Sequence, residues 1–336
     1  MTGGSATLER SDWRRVLVLA PHPDDETLAT GGLLQRAVAA GAAVRVVFVT
    51  DGEDNPWPQR VLERRWHIDC AGRARWAARR RAEALAALAC LGVLPPSARF
   101  LGFPDQGLTR LLLAGGRGIV AQLAAELRWC PTLVVAPAGA DRHPDHSALA
   151  ALLRLAVHHL PPGQRRFTQL AYVVHGRAPR PALCLRLGVR ERARKQAAVS
   201  CHASQLVLSR RRFLSRARAT EGFSDPAISS PAHRVRGAVP APGGIVLALA
   251  PPTSLGAVSS ATLDVLVMDG GGSVYRRSCR VAPWGRRVAL PFDRRPARLL
   301  VKCEGPHLFF DDAGWREIEI GTETEAVPAA GELARA

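Results

Sequence analysis

A short apolar run near the start of the chain ends in a dense group of charged and imidazole side chains. Residues 16–19 are Val-Leu-Val-Leu, and residues 22–26 then place one histidine and three carboxylates in five positions. Burying isolated carboxylates is costly, so such a group at the end of a buried strand needs a cation, a proton or water beside it. The pattern predicts a buried strand followed by a functional loop.

A second group of the same kind follows another apolar run. Residues 133–136 are Leu-Val-Val-Ala, and residues 143–146 are His-Pro-Asp-His. Ligands bind beyond the carboxyl ends of parallel strands, so we predict that the two loops meet at one edge of a sheet. One carboxylate-rich loop alone would also suit Mg²⁺ with phosphates. Two such loops after two strands favour a metal site with histidine ligands.

Short apolar runs alternate with helical segments through the first two thirds of the chain. The runs are too short for helices, and the segments between them have helical length and composition. This alternation predicts a Rossmann-like, doubly wound α/β fold with a mostly parallel sheet over residues 14–227. The predicted strands lie at residues 16–20, 44–50, 99–103, 132–136 and 168–175.

The composition changes near residue 228, where Pro, Gly and Ser become more frequent and apolar runs become short and β-branched. No long helical pattern interrupts these runs. We therefore predict a small antiparallel β-rich, sandwich-like domain at residues 233–324. The remaining residues are predicted to be an N-terminal tail at 1–13 and a C-terminal tail at 325–336.

Charge and composition narrow the classes of partner. The chain carries 46 Lys and Arg against 29 Asp and Glu, a formal charge of +17, with 5% aromatic residues. No nucleic-acid-binding motif accompanies the charge, so we predict no nucleic-acid partner, although weak attraction to an anionic membrane surface stays open. No apolar stretch reaches the ~18–20 residues of a membrane span. Seven scattered cysteines and no apolar leader lead us to expect a cytoplasmic protein, of open oligomeric state.

Spacing alone nominates the metal ligands. His22 and Asp25 are three residues apart at the start of a helix, close enough to bind one ion, and His146 could supply a third ligand from the second loop. Catalytic zinc takes three such ligands and keeps one position for water. We predict one Zn²⁺ per chain, while Fe²⁺ also fits a site of two histidines and one carboxylate.

The neighbours of these ligands suggest a hydrolytic reaction. Asp24 would lie beside the metal, where it could take a proton from an attacking water. His143 would donate a proton to a leaving amine or stabilise an oxyanion, and Asp145 would hold the tautomer of that histidine.

The two loops resemble the motifs of a known family. Residues 22–26 resemble the first motif of the LmbE-like, or PIG-L, deacetylases, and residues 143–146 resemble the second. Pro21 stands between Ala20 and His22, where the family motif places alanine directly before histidine. Weaker matches follow in the family's order at residues 50–53, 80–83 with 91–93, 102–105 and 195–205. The resemblance covers residues 14–225.

This resemblance implies a zinc amidase that removes acetyl groups from N-acetylglucosamine-type substrates, whether free or joined to a nucleotide, lipid or glycan. It matches His22, Asp25 and His146 with metal ligands, Asp24 with the general base, and His143 and Asp145 with the acid or oxyanion partner and its support. It also places Arg80 (with Arg81 nearly as good a match) and Asp105 where relatives contact the sugar, and His202 on a late histidine near the pocket.

Two other functions stay open from the sequence. One is an amidase that acts on another N-acyl compound, such as a thiol conjugate or an antibiotic. The other is a glycan-binding protein in which the β-rich segment binds and the hydrolase domain is inactive. The two complete motifs favour the deacetylase.

Overall fold

The computed structural model of the chain divides into two compact units, Met1–Ile228 and Ser229–Ala336. It describes residues 13–176, 181, 183–227, 233–251, 261–268, 274–282, 284–292, 296, 298–304, 314–318 and 320. The predicted tails therefore lie outside the described residues, apart from Trp13. Within the described ranges, no helix is both long and apolar enough to cross a membrane.

A parallel five-stranded sheet forms the centre of the first unit, which confirms the predicted α/β fold. Its order is β3-β2-β1-β4-β5, so the chain runs outward from β1 in both directions. The direction of winding reverses between β1 and β4, and the crevice at such a point is where doubly wound sheets bind ligands. The strands are β1 (Arg15–Ala20), β2 (Ala43–Thr50), β3 (Ala98–Phe103), β4 (Leu133–Pro137) and β5 (Thr168–Tyr172).

Helices connect these strands, and a short antiparallel strand pair follows them. The strand pair is β6 (Leu183–Arg186) with β7 (Thr220–Phe223). The helices are α1 (Asp25–Ala39), α2 (Pro56–Glu63), α3 (Cys70–Cys90), α4 (Leu108–Leu113), α5 (Arg117–Leu127), α6 (Pro144–His158), α7 (Val189–Cys201) and α8 (Ala203–Leu214).

The sequence predicts a long connection over residues 53–75, where prolines and arginines are frequent, but the structure forms α2 inside this segment. Pro56 occupies the first turn of α2, where a missing N–H is not needed for a helical hydrogen bond. Helix α3 begins at Cys70, and the Asp69 carboxylate accepts a hydrogen bond from the Gly72 N–H at 2.6 Å. This cap starts the helix a turn earlier than its Ala- and Leu-rich part suggests.

The glycine pair inside α1 is explained by close packing against α7 and the loop before it. A Cβ on Gly31 would lie 3.2 Å from Cγ of Lys195, and one on Gly32 would lie 2.1 Å from a methyl group of Leu187. These contacts leave no room for a larger side chain, which outweighs the low helix propensity of glycine. Helix α1 can therefore approach its neighbours closely while it carries the first loop.

The second unit contains two antiparallel sheets, with strand orders β11-β10-β13-β14 and β12-β9-β8. Leu247 and Leu290 of one sheet share a hydrophobic core with Leu263, Val265 and Val301 of the other. The predicted antiparallel, β-rich character of the C-terminal region is therefore confirmed. The strands are β8 (Val235–Ala241), β9 (Gly244–Leu249), β10 (Ala261–Met268), β11 (Val274–Val281), β12 (Arg287–Pro291), β13 (Arg298–Glu304) and β14 (Arg316–Ile318).

Candidate metal centre

The two motif loops leave the sheet on either side of its reversal point. Strand β1 ends at Ala20 and α1 begins at Asp25, while β4 ends at Pro137 and α6 begins at Pro144. The strands pair directly, so both loops emerge at the same edge of the sheet. As a result, the rings of His22 and His146 lie close together, with their centroids 5.3 Å apart.

One carboxylate oxygen lies between the two predicted histidine ligands. Oδ2 of Asp25 is 3.1 Å from Nδ1 of His22 and 3.2 Å from Nε2 of His146. Ligand atoms bound tetrahedrally at about 2.0–2.2 Å from one ion lie roughly 3.3–3.6 Å from each other. Asp25 therefore contacts one nitrogen of each predicted histidine ligand, at separations slightly shorter than those between ligands of one tetrahedral ion.

The outer nitrogen of each histidine faces a second buried carboxylate. Nε2 of His22 is 3.1 Å from Oδ1 of Asp105, and Nδ1 of His146 is 3.2 Å from Oδ2 of Asp141. Histidines that bind metals usually make such a contact with their other ring nitrogen, which sets the tautomer and the ring orientation. The structure thus supplies an outer carboxylate for both candidate ligands.

These carboxylates make the centre attractive to positive charge. Burial lowers the pKa of His146, but the charges of Asp25 and Asp141 outweigh it and raise that pKa to about 10. Burial also lowers the pKa of His22, but the charge and hydrogen bond of Asp105 outweigh it, so this pKa lies well above its ordinary value. The histidines hold the pKa of Asp25 well below its usual range despite its burial. A bound cation would supply the same positive charge.

The hydrogen bonding of His146 also fits a metal. Its ring is fully buried, yet among the described residues neither ring nitrogen has a hydrogen bond of good geometry, although carboxylate oxygens lie nearby. Buried polar atoms are normally satisfied, so this pair calls for an explanation. A metal ion on Nε2 provides one, and the donor set of two histidines and one aspartate is chemically suited to it. The residues therefore fit a metal ion.

Asp24 is held beside this centre in a strained backbone conformation. Its φ is 155° and its ψ is −28°, and its N–H donates to Oε2 of Glu26 at 3.0 Å. Arg80 donates to Oδ2 of Asp24 at 3.0 Å and also to the carbonyl oxygens of Pro23 and Gly52. Burial raises the pKa of Asp24 to about 6, against the opposing charge of Arg80. Unusual backbone conformations of this kind concentrate at functional sites.

Gly52 makes room for this arginine. Its φ is +65°, and a Cβ built on it would lie 1.7 Å from Nη1 of Arg80. A side chain here would push the guanidinium away from Asp24. The glycine at the end of β2 is therefore part of what positions the candidate base.

His143 has a defined tautomer, but its support differs from the prediction. Its Nδ1 accepts a hydrogen bond from the backbone N–H of Asp145 at 3.2 Å, which leaves the proton of the neutral ring on Nε2. The Asp145 carboxylate instead accepts from the N–H groups of Gln106 and Leu108 and lies 3.4 Å from Nε2 of His22. Burial, followed by the charges of the neighbouring histidines, lowers the pKa of His143 strongly. The ring is thus a neutral Nε2–H donor.

The residues predicted to contact substrate lie against the two motif loops and their neighbours. Arg80 is 4% exposed and engaged with Asp24, whereas Arg81 forms a two-pronged ion pair with Asp51. Asp105 faces His22 and also accepts from the N–H of Asp54 at 2.9 Å. In this structure Arg80 and Asp105 therefore bind neighbouring protein groups. A direct contact of either residue with substrate stays a prediction.

His202 lies on the inner side of the first loop. Its Nε2 is 3.3 Å from Oγ1 of Thr27 and 3.6 Å from Oε1 of Glu26, and the residue is fully buried. Glu26 also accepts a hydrogen bond from the Thr27 hydroxyl. This places His202 as a neighbour of the loop's anchoring glutamate, and its predicted contact with substrate stays a prediction.

Two residues at the centre escaped the sequence reasoning. Asp141 is fully buried and accepts hydrogen bonds from the N–H groups of His143, Val174 and His175. Ligand atoms of His175, Asp25 and His146 all lie within 4.8 Å of one another. The rule that found the other residues, a polar side chain just past a strand end, applies to both. His175 was hidden because the predicted strand ran to residue 175, whereas β5 ends at Tyr172.

We expect Asp141→Asn to weaken metal binding by about 10–100-fold, the usual cost of losing an outer carboxylate. Asparagine keeps the size of the side chain but removes the negative charge beside Nδ1 of His146. Competition with a chromophoric zinc chelator measures the affinity. Asp225→Asn, at an exposed position, serves as the matched control and should bind as the unaltered protein does. Equal zinc affinities for the two variants would show that Asp141 does not strengthen metal binding through His146.

The sequence is similar to a known family and to several known proteins. The family described as "PIG-L: GlcNAc-PI de-N-acetylase" matches residues 17–157. A 1D-myo-inositol 2-acetamido-2-deoxy-alpha-D-glucopyranoside deacetylase of Mycobacterium sp. strain KMS is 36% identical over 152 residues, covering 39% of this chain and 46% of that protein. A protein of the same description from Tsukamurella paurometabola is 34% identical over 195 residues, covering 49% and 63%. The chain thus spans about half to three fifths of the length of these two curated relatives.

Solved structures include a protein of similar description. The N,N'-diacetylchitobiose deacetylase of Pyrococcus horikoshii is 23% identical, with a TM-score of 0.49 over 63% of this chain and 83% of that chain. The family match contains both motif loops and ends within α6. Residues 17–157 of this chain are therefore similar to the PIG-L family of de-N-acetylases.

Proposed function

We propose that the chain is a zinc-dependent hydrolase that removes the N-acetyl group from an N-acetylglucosamine-type amino sugar. The observation that supports the proposal is the buried cluster in which Asp25 contacts both His22 and His146, with the neighbouring Asp24 held by Arg80. The match to the PIG-L family and relatives named as deacetylases of an acetamido sugar joined to inositol support the substrate class.

His22, Asp25 and His146 would hold the ion through two nitrogen atoms and one carboxylate. Such sets suit Zn²⁺ and leave a position for water or substrate, and Fe²⁺ has similar ligand preferences. We expect one ion per chain. When bound, the metal polarises an amide carbonyl and lowers the pKa of water at the site.

Asp24 is the proposed general base. Its pKa, raised to about 6 by burial, leaves it ionised at neutral pH yet close enough to neutrality to take up a proton. Arg80 holds one carboxylate oxygen, which fixes the direction in which the other can accept a proton from the attacking water. The same carboxyl can then pass its proton to the leaving nitrogen as the amide C–N bond breaks.

His143 is the proposed oxyanion partner. Its Nε2–H can donate a hydrogen bond to the substrate oxygen as negative charge develops there, and donors placed in advance are the most effective stabilisers of such charge. The strongly lowered pKa keeps the ring neutral, so this residue acts by hydrogen bonding and the proton for the amine comes from Asp24. Asp145 supports the ring through its backbone N–H.

Acetate release from a panel of amides tests the proposal, with the metal content measured on the same samples. The panel contains free, nucleotide-linked and inositol-linked N-acetylglucosamine together with N-acetylated compounds that are not sugars. We expect about one zinc per chain, acetate from at least one sugar, loss of turnover on chelation and recovery with added zinc.

The other outcomes separate the alternative functions. If metal-dependent turnover were seen only with a non-sugar amide, the proposed substrate class would be wrong and the proposed hydrolytic chemistry would stand. A chain that binds no metal and releases no acetate, yet is retained on immobilised glycan, would be a binding protein and would overturn the proposal.

A further inference from the structure

Two cysteines far apart in sequence lie together at the ends of packed helices. Cys90 is the last residue of α3 and Cys201 is the last residue of α7, and their Sγ atoms are 3.7 Å apart. The seven cysteines all lie within the described residues, and none of them forms a disulfide there. A disulfide needs its sulfur atoms at about 2.05 Å, so a shift of less than ~2 Å at two helix ends would join this pair.

We propose that Cys90 and Cys201 form a reactive dithiol that small disulfides convert into an intramolecular disulfide. Cys90 is exposed, so it can reach a reagent in solution, whereas Cys201 is half-buried beside it. The sulfur of Cys90 attacks the small disulfide and releases one thiol. The sulfur of Cys201 then attacks the mixed disulfide at Cys90 and releases the second thiol. The two protein thiols are oxidised, and one small disulfide is reduced to two thiols.

The local environment sets this order of events. Burial, followed by the neighbouring Cys90, raises the pKa of the Cys201 thiol to about 11, which makes it the less reactive group toward a reagent in solution. Its advantage is proximity, because the mixed disulfide forms on the very sulfur atom it touches. Its Sγ also donates a long contact, of 3.5 Å, to the carbonyl oxygen of Ala197.

The bond would join two elements that support the first catalytic loop. Helix α3 carries Arg80, which holds Asp24, and it also carries Glu83, whose carboxylate accepts from the N–H and hydroxyl of Ser204 in α8. Cys201 directly precedes His202, whose ring lies against Thr27. A cross-link between the ends of α3 and α7 therefore restrains the supports of the loop without touching the metal ligands.

Oxidised glutathione is the probe for this dithiol, and peptide mass mapping is the readout. We expect the unaltered protein to yield a linked Cys90–Cys201 peptide that has lost two hydrogen atoms, and to yield it in preference to a glutathione adduct on Cys90. Cys201→Ser should instead trap the glutathione adduct on Cys90. Cys90→Ser should leave Cys201 largely unmodified. Cys70→Ser, at another exposed cysteine, should form the cross-link as the unaltered protein does.

Thermal unfolding tests for the same cross-link without peptide mapping. Joining two positions that are 111 residues apart should raise the Tm of the oxidised protein, since a cross-link restricts the unfolded chain, and dithiothreitol should reverse the shift. Cys90→Ser should show no shift. Recovery of Cys90 only as a glutathione adduct in the unaltered protein would overturn the proposal, as would pairing of either cysteine with a different one.

Discussion

Replacing Asp24 by asparagine should lower kcat by about 10²–10⁴-fold, the usual contribution of a general base. Asparagine cannot accept the proton from water, because its amide is neutral and far less basic than a carboxylate. Its Oδ1 can still accept the hydrogen bond from Arg80, so the loop should keep its conformation. Asp24 lies outside the ligand triangle of His22, Asp25 and His146, so metal content should stay near one ion per chain.

Metal content and turnover must be measured together for this variant. Asp225→Asn provides the control, since it makes the same chemical change at an exposed site. A variant at position 24 that kept its kcat within a few-fold would remove Asp24 from the proposed role. A variant that lost its metal together with its turnover would place Asp24 among the ligands, or among the groups that hold them.

The fold of the first unit was within reach of the sequence because its signals are local. Apolar runs such as residues 16–20 and 132–136 are too short for helices, and their alternation with helical segments leaves few topologies other than a doubly wound sheet. The meeting of the two polar loops also follows, because the carboxyl ends of parallel strands lie at the same edge of a sheet. Helix α2 could not be foreseen, since it is only eight residues long and contains two prolines.

The candidate site was only partly accessible to the same reasoning. The sequence can predict that His22, Asp25 and His146 come together, because each lies in a loop or first helical turn just past the end of a predicted strand. The outer contacts depend on which of several carboxylates a ring happens to face. Asp105 faces His22, and the backbone of Asp145, rather than its carboxylate, meets the His143 ring. Such choices are made by tertiary packing and leave no periodic trace in the sequence.

The position of the first loop also depends on a buried ion pair between α7 and β7. Nζ of Lys195 in α7 is 2.5 Å from Oε1 of Glu221 in β7, and both side chains are 1% exposed. The Glu221 carboxylate also accepts hydrogen bonds from the N–H groups of Gly32 and Leu33 inside α1. Three elements thus meet at one carboxylate, and α1 is the helix that begins with Asp25. Damage here should therefore reach the metal centre.

Lys195→Met should destabilise the protein by about 3–5 kcal/mol, because it leaves the Glu221 carboxylate buried without its counter-charge. The double replacement Lys195→Met with Glu221→Gln should recover part of this loss, since a neutral amide oxygen can still accept from Gly32 or Leu33. Urea unfolding measures the change, and hydrogen exchange at Gly32 and Leu33 shows whether it is centred on α1. Arg75→Met removes one partner of the exposed pair with Glu63 and should cost less than about 1 kcal/mol. If the single and double replacements were equally unstable, the loss would come from packing of the lysine stem against Gly31 and not from the unpaired charge.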